Sequence, residues 1–256
     1  MNTVRRPLRL PAFLSSPFAD YWCESRRPLS SLAFVMPLLV VYEAGVLILG
    51  PAAVRSGADV WLRQFLDLVG LTGYFVLPLC TVIMLLAWHH TTHHAWRVSL
   101  RVLGGMLAEC VALSLGLLLF AQLQARLLTA TWMWHLSVNT SVNAAPSFAS
   151  LRQIVAFAGA GIYEEVLFRL LLLPLLWGAL GLVTTRAATR VVSAILLSSL
   201  IFSLAHYVGQ YGDTWQWFTF LFRFSAGGFF AALFVVRGFG IASGAHALYD
   251  IMAGVV

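Results

Sequence analysis

Residues 151–178 read LRQIVAFAGAGIYEEVLFRLLLLPLLWG. The run is long enough to cross a bilayer as one helix, which takes about 20 mostly apolar residues. Near its middle stand two adjacent acids, Glu164 and Glu165, followed by Arg169. Each ionisable group at mid-membrane costs at least about 2.5–3.5 kcal/mol on insertion scales. The segment therefore reads as a membrane helix whose polar middle faces the inside of a helix bundle rather than lipid.

The rest of the chain has the same character. Of 256 residues 60% are hydrophobic and 10% charged, against roughly 45–50% and about 25% in soluble domains. A soluble core of this length could not hide so much apolar surface. Six further apolar runs, near 31–50, 71–88, 100–125, 191–207, 215–236 and 239–256, approach spanning length. The expected fold is all-α, a polytopic transmembrane helix bundle of about seven to eight spans enclosing a polar cavity. Residues 1–149 are expected to supply membrane helices behind a cytoplasmic N-terminal segment, and 150–256 the helices that carry chemistry, all in one membrane domain. Trp61, Leu62, Phe65, Leu66 and Val69 recur at helical spacing, interrupted by Arg63 and Asp67, which predicts a short helix lying in the interface. Pro78 and Pro174 are expected to kink their helices. Gly227-Gly228 and Gly238/Gly240 are expected to permit close helix packing. The polar stretch 127–150 places Trp132 and Trp134 in an interfacial belt, and its Asn139-Thr140-Ser141 triplet carries little weight.

The net charge of +6 comes entirely from arginine, because the chain has no lysine. The arginines lie mostly between apolar runs, so topology explains them better than nucleic acid does, and no nucleic-acid partner is expected. With the N-terminus inside, the inner segments hold ten arginines and the outer ones four. That bias predicts a cytoplasmic N-terminus. Residues 1–29 hold Arg5, Arg6, Arg9, Arg26 and Arg27 without a continuous apolar core, so the first apolar run is expected to act as an uncleaved anchor. Cys23, Cys80 and Cys110 are widely spaced and suggest neither a disulfide framework nor a thiolate metal site.

Five of the ten acids fall inside expected spans: Glu43, Glu109, Glu164, Glu165 and Asp250. Arg169, Arg223, His206 and His246 join them. Such groups pair with one another or line a hydrated cavity. Glu43 and Glu109 are expected to pair with Arg223. Glu165 and Arg169 are i,i+4 neighbours in the favourable acid-first order. Glu164 projects about 100° away and has no local partner, so it is the kind of carboxylate a general base requires. His206 closes the run Phe202-Ser203-Leu204-Ala205-His206. His246 and Asp250 share one helix face, where the carboxylate can orient the imidazole. By the expected span limits His206 and His246 sit at different depths, which a tilt or kink must reconcile. His89-His90-Thr91-Thr92-His93-His94 reads as a solvated juxtamembrane loop.

Three motifs in this order, Glu164-Glu165…Arg169, Phe202…His206 and His246…Asp250, resemble the CAAX-protease and bacteriocin-processing (CPBP) family of intramembrane peptidases, which includes the type II CAAX prenyl endopeptidases. The resemblance covers about residues 150–256. It implies peptide-bond hydrolysis inside the membrane, with Glu164 as base on the attacking water, His206 assisting, His246 and Asp250 at the oxyanion, and Glu165 and Arg169 holding the shape of the site. Prenyl endopeptidases usually carry Asn where this chain has Asp250. An ionised Asp would repel an oxyanion, so Asp250 is expected to orient His246. The implied partners are a membrane-associated peptide or protein substrate and the lipid bilayer, and the expected location is a bacterial plasma membrane.

Two choices stay open. Glu164, His206 and His246 could bind zinc with a position left for water, although a metal-independent reaction needs no cofactor and is preferred because Glu164 can activate water directly. The same residues would also serve a non-catalytic peptide-binding or immunity protein. A proton-relay transporter would show repeated halves with interrupted helices, and the sequence shows no internal repeat.

Overall fold

The computed structural model describes residues 17–132, 148–209 and 212–255. The polar stretch with Trp134 and the Asn139 triplet, and the first three arginines, lie outside them. Every regular element among the described residues is helical. Helix α1 (Pro17–Ser25) is followed by α2 (Pro28–Leu49), α3 (Gly57–Leu68), α4 (Val76–Thr91) and α5 (Leu100–Trp132). Then come α6 (Phe148–Glu165), a π-helical segment (Val166–Leu172) and α7 (Leu173–Leu180), which run on without a break. Helices α8 (Ala187–Ala205), α9 (Trp217–Arg237) and α10 (Phe239–Val255) complete the fold.

Among the described residues four helices are long and apolar enough to cross a membrane: α2, the Leu100–Leu127 part of α5, α8 and α9. Helix α4 is apolar but shorter. The remaining two expected spans fall on the α6–α7 run and on α10. Large apolar side chains stay exposed along these helices, among them Ile48, Leu119 and Leu175, as lipid-facing surface requires.

Helix α10 is the hub. It packs against α2, α5, α6 and α9, and the chain is buried without interruption from Arg237 to Ala247. Small residues make this possible. A Cβ on Gly161 of α6 would lie 2.6 Å from the backbone nitrogen of Ala247, so the two backbones touch there. The acids that follow one turn after Gly161 are thereby set beside His246. The reversal from α9 to α10 takes one residue, Gly238, at φ 85°, a left-handed conformation that favours glycine. Its N–H donates to the Phe234 carbonyl at 3.0 Å and closes α9.

Pro78 lies in the first turn of α4, where the missing N–H has no intrahelical acceptor to lose. Pro174 follows the π segment. Lacking an N–H, it cannot satisfy the Leu170 carbonyl, and the wider turn ends just before it, with Leu173 N–H reaching back to Phe168 O. Pro37 also stands inside a helix, α2. The predicted stripe near Trp61 falls on α3 and the residue that caps it, with Leu62 buried while Phe65 and the capping Val69 remain exposed. His89 also departs from a solvated loop. It ends α4 fully buried, edge-on to Trp96 at 4.7 Å, while His90, His93 and His94 are exposed.

Candidate functional site

The three motifs arrive on three elements. Glu164 and Glu165 end α6, His206 caps the C-terminus of α8, and His246 and Asp250 stand on α10. The structure brings all of them together. Glu164 Oε2 lies 4.0 Å from His206 Nε2 and 3.8 Å from His246 Nε2. These gaps are too long for hydrogen bonds. The His206 ring folds down along α8, and its Nδ1–H donates to the Phe202 carbonyl one turn back at 2.8 Å. That bond leaves Nε2 as the free lone pair facing Glu164.

His246 is held differently. Its Nδ1–H donates to Glu165 Oε1 at 2.8 Å, and its ring stacks on Phe230 with centroids 4.4 Å apart. Its Nε2 faces Asp250 Oδ2 at 3.5 Å as well as Glu164. The closer carboxylate on His246 is therefore Glu165, with Asp250, expected from the sequence to orient the ring, standing farther off. Both ring nitrogens face carboxylates, an environment suited to the imidazolium form, which donates from each side.

Glu165 and Arg169 are fully buried and pair at 3.3 Å across the start of the π segment. Arg169 Nη2 donates to the Gly227 carbonyl at 3.2 Å, and its guanidinium lies over the Phe202 ring at 4.4 Å. Phe230 and the Gly227 carbonyl carried no signal in the sequence as parts of this site. The π segment had none either. Single wide turns of this kind occur often at functional sites, and this one begins at the residue after Glu165. Three carboxylates, Glu164, Glu165 and Asp250, thus face the His246 ring, and one of them, Glu165, also pairs with Arg169. The side chains remain partly open, with Glu164 at 12%, His206 at 27% and Asp250 at 23% exposure, while His246 is at 5%.

The other intramembrane acids have partners the sequence did not indicate. Neither Glu43 nor Glu109 meets Arg223, which pairs instead with Asp213 at 2.5 Å. Glu43 accepts from Tyr163 and lies 3.3 Å from Arg63 of α3. Asp59, fully buried, holds Arg55 and Arg63 at 2.8 Å each and accepts from Tyr42 at 2.9 Å. Burial works against the Arg55 charge, but the hydrogen bond and attraction of Asp59 outweigh it and raise its pKa. Glu109 takes Arg237 in a two-pronged contact, 2.6 Å on each oxygen, and Tyr21 at 2.5 Å. The counterions come from the turn before α3, from α3 itself and from the end of α9; Arg55 and Arg63 stay partly exposed, while Arg237 is buried.

Among the described residues no three His, Cys, Asp or Glu side chains come together at metal-ligand spacing. In tetrahedral zinc, ligand atoms about 2.0–2.1 Å from the metal lie roughly 3.3–3.4 Å from one another. Glu164 stands wider than that from both imidazoles, at 4.0 and 3.8 Å.

Residues 146–252 match the family model described as type II CAAX prenyl endopeptidase Rce1-like. The matched segment holds all three motifs, from Glu164 to Asp250. That model describes the kind of protein that those motifs resemble. No curated protein and no solved structure matches the chain.

Proposed function

We propose that this protein is an intramembrane endopeptidase that hydrolyses a peptide bond of a membrane-associated peptide or protein, with Glu164 activating the attacking water. The observation that carries this reading is Glu164 Oε2 standing between two imidazole Nε2 atoms, at 4.0 and 3.8 Å, bonded to neither.

A water lodged there donates one hydrogen to Glu164 and the other to His206 Nε2, which turns its lone pairs toward a substrate carbonyl. Glu164 takes a proton as the water oxygen adds to the carbonyl carbon. The oxyanion that forms is met by His246 Nε2–H. Glu164 then passes its proton to the amide nitrogen, the C–N bond breaks, and the carboxylate is restored. Positioned acid–base groups of this type are worth roughly 10²–10⁴ in rate. An oxyanion donor adds about 10²–10³. Glu165 fixes the tautomer and direction of His246, and Arg169 balances the Glu165 charge. Asp250 helps to hold the charge of His246 and has no lone role at the oxyanion.

The test is cleavage of a pooled set of quenched, membrane-anchored peptides by purified wild-type protein and by Glu164→Ala, with and without a chelator. Cleavage lost in Glu164→Ala and indifferent to the chelator is the expected result. Loss with chelator and return with zinc would replace the mechanism by a metal-dependent one. Equal binding of the same peptides by both proteins, with no cleavage by either, would leave a peptide-binding protein instead.

A further inference from the structure

Arg223 is an ionisable group of the expected spans that the reaction above does not use. It stands on α9 and is joined through Asp213 to the backbone of His206 at the edge of the site. One of its nitrogens, Nη2, is held by Asp213 at 2.5 Å. The other, Nη1, is buried and meets no hydrogen-bond acceptor among the described residues. A buried guanidinium nitrogen without an acceptor is costly, and it offers half of the fork that binds a carboxylate with two parallel bonds.

Its present partner is placed to give way. Asp213 lies in the loop between α8 and α9 with 56% of its side chain exposed. Its backbone N–H donates to the His206 carbonyl at 2.9 Å, so the loop stays attached to the rim when the side chain swings out. Tyr207 completes the rim, with the Arg223 guanidinium over its ring at 5.5 Å and its hydroxyl 2.8 Å from Thr219 Oγ1.

The interior of the site is an acidic cluster. An anionic group on a substrate is repelled from it by Glu164 and Asp250, and the cation at the rim is the place where such a group can be met. We infer that Arg223 is a specificity-determining residue, an anion subsite that takes a substrate carboxylate in exchange for Asp213. The carboxylate would be either the chain terminus or an acidic side chain near the scissile bond. This rests on the peptidase reading for its role in turnover, but the binding it predicts does not depend on cleavage.

The experiment measures binding to protein in lipid nanodiscs, using membrane-anchored peptides made in matched sets. One pair ends in a free carboxylate or an amide, and a second pair is amidated and carries Glu or Gln near its end. All are measured on Glu164→Gln, so that no peptide is consumed, and on Glu164→Gln combined with Arg223→Gln or with Asp213→Asn. Tighter binding of the acid member of one pair, by about tenfold, is expected. Which pair shows it identifies the source of the carboxylate. Arg223→Gln should bring that ratio close to one, and Asp213→Asn, which removes the competing carboxylate, should enlarge it. No acid preference in either pair, or a preference that survives Arg223→Gln, overturns the inference. A separate cleavage assay of the wild-type protein with the same peptides judges the peptidase reading, so the two can fail independently.

Discussion

Two buried acid clusters stand on either side of the Tyr163–Glu164 peptide, and they are built on opposite plans. On one side Glu43 and Asp59 are closed in by Arg55, Arg63, Tyr42 and Tyr163, with Asp59 meeting two arginines at 2.8 Å each. On the other side Glu164 meets nothing closer than 3.8 Å among its imidazole neighbours and stays partly open. The first plan satisfies charge and locks α3 to α2 and α6. The second leaves a partly open carboxylate with no imidazole within hydrogen-bond distance, an arrangement that fastens no helices and leaves the group free to react. Adjacent residues of one helix thus divide into a fastening and a reactive group.

Glu165 belongs to both plans and should give the largest combined effect. Glu165→Gln removes the ion opposite fully buried Arg169, a loss of about 3–5 kcal/mol for a broken buried pair, and loosens His246. Thermal unfolding in detergent should register the first effect. Turnover per folded molecule should fall roughly a hundredfold, within the range for acid–base groups. Unchanged turnover would mean that the 2.8 Å contact does not direct the ring.

Asp59→Asn should also destabilise, by about 3 kcal/mol, yet leave cleavage per folded molecule within about twofold of wild type. An activity loss far beyond the stability loss would make the closed cluster part of the chemistry. Asp250 should show the smallest effects. Asp250→Asn keeps a polar group 3.5 Å from His246 and should stay within about threefold, whereas Asp250→Ala should lose about tenfold, equivalent to about 1.4 kcal/mol. Equal rates in all three proteins would remove Asp250 from the account.

The sequence made the apolar helices and the three motifs legible because both depend on residues that stand out locally: long apolar runs and charges inside them. It paired Glu165 with Arg169 correctly for the same reason. That local pairing also concealed the second use of Glu165, since an acid already matched at i,i+4 gives no sign of a histidine 81 positions away. Arg223 was matched to Glu43 and Glu109 on the rule that buried charges pair, but the rule does not say with whom. Their partners came from α3 and from the end of α9, elements whose docking depends on tertiary packing. The π segment left only Pro174 as a trace, and a proline of that kind predicts a disturbance without naming its form.

The most direct measurement sets cleavage against thermal midpoint for two conservative changes, Glu164→Gln and Glu43→Gln, in one assay. Glu164→Gln should lose cleavage by about 10³-fold and melt no lower than wild type, because it removes a buried charge that no arginine matches. Glu43→Gln should melt lower and retain its cleavage per folded molecule. Retained cleavage in Glu164→Gln, or the same loss of cleavage in both proteins, would contradict the account.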